Sequence, residues 1–219
     1  MGVRAVIFDL DGVLVDSEER WVRAKESLVR ETGGHWKPEA AHAMLGMSSP
    51  EWSRYLHEEL GVPLSPEEIN AAVLARILED YRSDLPLIEG ARDAVLRLAE
   101  RWPLGLASSS NREVIDAVLE AAGLADAFAV TVSSEEVDRG KPAPDVYLEA
   151  ASRLGVAPGD AAAVEDSTNG LLAARAAGMA VVAIPNRAFP PSEAALAAAD
   201  VVLDSIAELT PATIEALRA

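Results

Sequence analysis

Six short apolar runs recur along the chain, at Val3–Phe8, Leu104–Ala107, Phe128–Val132, Ala161–Val164, Ala180–Ile184 and Val201–Leu203. Each is continuous rather than alternating and rich in Val, Ile and Ala, the pattern of strands buried on both faces. The segments Arg112–Ala122, Val146–Leu154 and Leu171–Ala177 between them space their apolar residues as crossover helices do. The expected fold is therefore α/β, a Rossmann-like doubly wound parallel sheet. Ligands then belong at the carboxyl edge of the strands.

The alternation breaks between residues 16 and 86, where helical patterns occur without a convincing strand. This interval is read as an inserted α-helical cap domain, with residues 1–15 and 87–219 forming the α/β core. Glu18–Arg30 and Pro66–Tyr81 carry the clearest helical spacing, while "GGHWKP" and "GVPLSP" supply breaks. The chain leaves the core after the first strand and rejoins it near Leu85–Gly90, so two linkers could serve as a hinge.

Composition narrows the classes of function. Of 219 residues, half are hydrophobic and a quarter charged, as in an ordinary globular protein. The 36 acids against 19 bases, a net charge of −17, argue against duplex nucleic acid and anionic lipid surfaces as partners. Cysteine is absent, which excludes disulfides and thiolate chemistry. Asp9 and Asp11 cut the apolar stretch near the N-terminus, so no signal peptide is expected; no apolar run approaches the length of a membrane span, and the default location is cytoplasmic. Nothing in the sequence requires more than a monomer.

Four strand ends carry candidate chemistry. Asp9-Leu10-Asp11-Gly12 closes the first strand; residues two apart in extended chain face the same side, and glycine permits a sharp turn beyond them. "LASSSN", Leu106–Asn111, places hydroxyls and amides at a helix N-terminus, where a phosphate group fits. "RGKPAPD" fixes Lys141 ahead of two prolines, and "VEDSTNG" sets Glu165 and Asp166 at another strand terminus. Each motif alone has a bland reading as turn, helix cap or surface charge. Together they bring two acid pairs, hydroxyls and a lysine to one sheet edge.

Two unit charges about 4 Å apart at an effective dielectric of about 20 repel by roughly 4 kcal/mol, so clustered carboxylates call for a cation. Oxygen ligands without cysteine or nearby histidine select a hard ion, Mg²⁺. An Mg²⁺ site with a lysine and hydroxyl donors suits a phosphoryl group under attack by a carboxylate. An ordinary aspartate, with a pKa of about 3.9, is ionised at neutral pH and needs no base to attack. A second aspartate beside it would supply and accept the protons.

In this order the motifs resemble those of the haloacid dehalogenase superfamily, in its phosphatase and phosphomutase branch with a helical cap after the first strand. The resemblance covers nearly the whole chain. It implies that Asp9 is nucleophile and metal ligand, Asp11 the general acid/base whose backbone carbonyl also binds Mg²⁺, and Asp166 a further ligand. Glu165 would ligate directly or through water. Ser108, the Ser109 amide and Lys141 would hold the phosphoryl group, and Asn111 could reach the substrate. Within the family the chain is similar to bacterial sugar phosphatases of the 2-deoxyglucose-6-phosphate or hexitol-phosphate type. The resemblance thus implies a small phosphorylated metabolite, a sugar or polyol phosphate, hydrolysed through an aspartyl-phosphate.

β-Phosphoglucomutases share all four motifs, so a mutase is the alternative, and a non-catalytic phosphate sensor a more distant one. Where the mutase cap carries an arginine after its Gly-x-Ser segment this chain has Gly46-Met47-Ser48-Ser49-Pro50, and where the mutase has a histidine early in the first cap helix this chain has Trp21. Glu18 and Trp21, one helical turn apart, are expected to face the substrate, with Trp21 either a stacking surface for a sugar or part of the cap core. Ser48 and Ser49 are the remaining cap candidates.

Overall fold

The computed structural model describes residues 2–44 and 47–217. Six strands, β1 (Ala5–Phe8), β2 (Leu104–Ser108), β3 (Val130–Ser133), β4 (Ala161–Glu165), β5 (Ala180–Ala183) and β6 (Val201–Val202), form one parallel sheet of order β3-β2-β1-β4-β5-β6. The order reverses direction at β1, and that reversal opens the crevice in which doubly wound sheets bind ligands. In register, Phe8 lies opposite both Leu106 and Val164, so the chain ends that follow β1, β2 and β4 emerge side by side.

The strands are buried on both faces, and their side chains divide between two cores as period 2 requires. Val6, Phe8, Leu104, Leu106, Val164 and Val182 join one core with α5 (Ala91–Ala99), α6 (Arg112–Ala122) and α10 (Pro211–Ala216). Ile7, Ala107, Val132, Ala163 and Val181 join the other with α7 (Asp145–Leu154), α8 (Thr168–Ala176) and α9 (Glu193–Leu196). Small alanines on β4 let α7 and α8 lie close to the sheet. The expected runs thus all become strands, with ends shifted by at most two residues.

Between β1 and α5 stand α1 (Glu18–Thr32), α2 (Ala40–Ala43), α3 (Ser49–Glu58) and α4 (Pro66–Ser83), with no strand among the described residues. Helices α3 and α4 start at capping boxes. Ser65 caps α4, accepting from the Glu68 amide while the Glu68 carboxylate accepts from Ser65 N, and Pro66 occupies the first turn. Ser48 and Glu51 make the corresponding contact at the start of α3. Leu28, Val29, Trp52, Leu56, Ile69, Val73 and Ile77 bury the shared apolar faces.

The two connecting segments pair with each other. Asp16 N donates to Pro86 O at 2.8 Å and Ile88 N to Leu14 O at 2.9 Å, with Val15 and Leu87 bridged antiparallel. Among the described residues no helix is long and apolar enough to cross a membrane.

Candidate active site

Asp9 follows β1 directly and is buried, its backbone N–H donating to Val164 O at 3.0 Å. The chain then turns at Gly12, whose φ of +79° suits a residue without a side chain. Space imposes the same requirement: a Cβ there would lie 1.9 Å from Asp166 Oδ2. The turn therefore brings the first acid pair against the second.

Lys141 reaches the same point from the loop before α7. Its ammonium, 4% exposed as a residue, lies 2.9 Å from Asp9 Oδ1 and 2.7 Å from Glu165 Oε1, and donates to Ala107 O at 3.1 Å. Burial works against its charge, yet Asp9 and Glu165 overcome that and raise its pKa above the ordinary lysine range. Glu165 is in turn saturated. Oε1 also accepts from Tyr147 O–H at 2.8 Å, and Oε2 accepts from the amides of Asp166 and Ser167 at 3.0 and 3.2 Å. Tyr147, which the motifs did not single out, also turns its ring face to Lys141, 5.0 Å from the ammonium.

Asp11 is held by three donors from two segments, the start of α1 and the loop after β2. Ser17 Oγ donates to Oδ1 at 2.5 Å, Trp21 Nε1 to the same oxygen at 3.3 Å, and Ser110 Oγ to Oδ2 at 2.6 Å. Trp21 packs within the insertion, 6.2 Å from the Trp52 ring, and also lines the pocket. Ser108 is fully buried, its Oγ accepting from the Ser110 amide at 3.0 Å, while Ser109 and Ser110 line the pocket itself.

The pocket is completed by Asp9, Asp11, Lys141, Asp166 and Ser167 from the core and by Glu18, Trp21, Lys25, Met44, Met47, Ser49 and Trp52 from the insertion. Ser48 contributes indirectly as the cap of α3; a Cβ on Gly140, next to Lys141, would meet its Cβ at 3.2 Å. Gly46, named with these residues from sequence, lies outside the described residues. Asn111 is not among the residues that line the pocket, although it bonds Ser49, which is. Its Oδ1 accepts from Ser49 Oγ at 2.8 Å and its Nδ2 donates to Glu135 at 2.8 Å and to Asn70 on α4 at 3.3 Å. It thus ties the sheet edge to the insertion.

The carboxylates fit a divalent cation. Oxygens of Asp9, Glu165 and Asp166 lie within 4.8 Å of one another, and Asp166 Oδ1 is buried without a hydrogen bond. Asp9 Oδ1 likewise lacks a hydrogen bond, although Lys141 stands within ion-pair distance. Burial is the main cause that raises Asp9 to about 8, against the pull of Lys141, and burial with Glu165 and Asp9 nearby raises Asp166 well above the usual carboxylate range. Such oxygens stay ionised at neutral pH when a cation joins them, and an all-oxygen set suits a hard ion.

Lys25, Ser17, Ser110, Trp52 and Tyr147 are the site residues that sequence reasoning missed. For Lys25 a signal existed: residues 18, 21 and 25 fall on one stripe of α1 by helical spacing.

Known proteins resemble this chain over most of its length. Residues 3–178 match the family of haloacid dehalogenase-like hydrolases. Hexitol phosphatase B of Escherichia coli (strain K12) is 35% identical over 214 residues, covering 95% of each chain. The crystal structure of CbbY from Rhodobacter sphaeroides in complex with phosphate superposes with a TM-score of 0.86 at 29% identity, over 97% of this chain and 99% of that one. β-Phosphoglucomutase from Clostridium difficile, at 23% identity and a TM-score of 0.83 over 97% and 95% of the two chains, shares the fold. Four motifs at adjoining strand ends, the helical insertion above them and the match over residues 3–178 have one origin: this chain belongs to the haloacid dehalogenase-like hydrolase family.

Proposed function

We propose that the protein is an Mg²⁺-dependent phosphomonoesterase for a sugar or polyol phosphate, working through an aspartyl-phosphate on Asp9. The observation that carries this reading is the meeting of Asp9, Asp11, Lys141 and Asp166 in one pocket roofed by the insertion. Relatives that hydrolyse phosphate esters, among them the hexitol phosphatase, support the substrate class.

Asp9 attacks phosphorus through one carboxylate oxygen as the bond to the leaving oxygen breaks, and Asp11 gives that oxygen its proton. Asp11 then takes a proton from the water that cleaves the acyl phosphate, which returns Asp9 as a carboxylate and releases inorganic phosphate. Ser17, Trp21 and Ser110 fix the Asp11 carboxyl for both transfers. Lys141, with the Ser108 hydroxyl and the Ser109 amide, neutralises the phosphoryl oxygens. Asp9, Asp166 and the Asp11 carbonyl would hold the metal, while Glu165, whose oxygens are all engaged, anchors Lys141. Bound there, Mg²⁺ offsets the charge of the carboxylates and of the phosphoryl group.

Residues 16–86 act as a cap on a core of residues 1–15 and 87–219. The cavity left beneath it is about 60 Å³, room for a few waters at about 10–15 Å³ each. A neighbouring cavity of about 490 Å³ shares Glu18, Asp166 and Ser167 with it; lifting of the cap about the paired linkers would admit a sugar phosphate to both, and its return would exclude bulk water.

The test is phosphate release from 4-nitrophenyl phosphate and a panel of sugar and polyol phosphates with and without Mg²⁺. Mg²⁺-dependent release abolished by D9N is expected. Release unaffected by D9N, or no release from any substrate, would sink the reading, and isomerised sugar phosphate in place of free phosphate would establish a mutase.

A further inference from the structure

The insertion places one more cation in the pocket, and nothing in the chemistry just described uses it. Lys25 is only 7% exposed, yet it has no hydrogen-bond or ion-pair partner among the described residues. Its ammonium sits 5.4 Å from the ring centre of Trp21 and 4.9 Å from that of Trp52. A charge stripped of most of its water and given no hydrogen bond by the protein is costly, two indole faces offset only part of that cost, and the surface it keeps faces the pocket. The remaining donors point to a ligand.

Its neighbours define what that ligand is. Glu18 lies two turns earlier on the same stripe of α1 and lines the same pocket, offering a carboxylate acceptor beside an ammonium donor. A hydroxyl is donor and acceptor at once, so adjacent hydroxyls of one molecule satisfy both groups. The walls between them, Trp21, Trp52, Met44 and Met47, fit the C–H faces of a carbohydrate chain.

A second anion fits poorly. With Asp9 and Asp166 assigned to the metal, Asp11 and Glu18 still face this pocket, and no arginine among the described residues lines it. Arg20 is committed to Asp80 and Asp84, Arg76 to Glu31 and Lys37 to Glu59. The bidentate fork suited to a distal phosphate or carboxylate is missing.

We propose that Lys25 and Glu18 form a hydroxyl-reading pair that selects monophosphates of neutral polyhydroxy compounds and rejects bisphosphates and carboxylate-bearing phosphates. This rests on the phosphatase reading above. Both residues are specificity determinants in contact with the leaving group, apart from the bond-breaking centre.

The experiment measures kcat/KM of the full-length protein with Mg²⁺ on sorbitol 6-phosphate, glucose 6-phosphate, fructose 1,6-bisphosphate, 2-phosphoglycolate and 4-nitrophenyl phosphate. Wild type should favour the better of the two hydroxylated monophosphates over the bisphosphate and phosphoglycolate by about 10-fold or more, the discrimination one hydrogen bond to a charged group gives. K25M should lower kcat/KM on that substrate by about 30-fold. Its loss on 4-nitrophenyl phosphate, which has no hydroxyl to read, should be smaller by about 10-fold. E18Q should shift the same ratio in the same direction, so that misfolding of either variant leaves the other as the test. Equal proportional losses on both substrates, or a wild-type preference for the bisphosphate or phosphoglycolate, overturns the proposal. Wild type inactive on every substrate, 4-nitrophenyl phosphate included, instead overturns the phosphatase reading and this proposal with it.

Discussion

Gly170 faces the Glu165 carboxylate so closely that a Cβ there would lie 1.8 Å from Oε1. The first turn of α8 thus presses on the carboxylate that anchors Lys141. G170A must displace either the helix or the anchor, and the expected cost is about 2–4 kcal/mol. At about 2–4 °C per kcal/mol for a chain of this size, thermal unfolding should fall by several degrees. Activity should fall with it, because Lys141 loses the partner that holds it against Asp9. A variant with wild-type melting and wild-type kcat would show that Glu165 has no such role.

Lys25 should cost stability in the free protein. Burial, opposed by Glu18 and Asp11, lowers its pKa to about 8. The sign follows from proton counting: between about 8 and the ordinary value of 10.5 the unfolded chain binds more protons than the folded one, so stability rises with pH across that window. Below 8 the full penalty applies, up to about 3 kcal/mol, less what the indoles return. K25M is therefore expected to melt a few degrees above wild type at pH 7, with the gap narrowing toward pH 10. Calorimetry at the two pH values checks this, and a K25M melting point below wild type at pH 7 would contradict it.

The metal site yields a binding prediction that needs no turnover. Mg²⁺ at about 100 times its Kd should stabilise the fold by about 2.7 kcal/mol. D166N should abolish most of that increment, since Asp166 Oδ1 is a buried oxygen without another partner. The measurement is the melting temperature against Mg²⁺ concentration, and an equal rise in both proteins would remove Asp166 from the ligand set.

Asn111 should govern cap closure. It joins Ser49 on α3 and Asn70 on α4 to the sheet edge. N111A should depopulate the closed form and raise KM about 3–10-fold, the loss of roughly one net hydrogen bond. Scattering should show a larger radius of gyration without substrate. Unchanged KM and radius would make the contact incidental.

The core and its site were legible in the sequence because parallel strands buried on both faces read as continuous apolar runs. Chemistry at their ends then falls on one edge by topology alone. The insertion was less legible. Helix α3 buries Trp52, Ser53 and Leu56 but interleaves them with Glu51, Arg54 and His57, so its stripe is short and polar-edged. Lys25 escaped notice for a related reason: a lysine on an amphipathic helix ordinarily carries its charge to water along an apolar stem. In the folded protein that stem instead carries the ammonium into the pocket, 5.4 Å from the Trp21 ring centre and 4.9 Å from that of Trp52. Asn111 went the other way, because the motif gives its position at the strand end but not the helices that fold back onto it.

The central claim is that Asp9 takes the phosphoryl group, and acid-quenched D11N provides the most direct reading. After exposure to 4-nitrophenyl phosphate and Mg²⁺, mass spectrometry of the peptide containing Asp9 should show one added phosphoryl group on that aspartate, absent from D9N. Turnover by the wild type with no modification of Asp9 in either D11N or the quenched wild type, or phosphorylation of a different residue, would contradict the account.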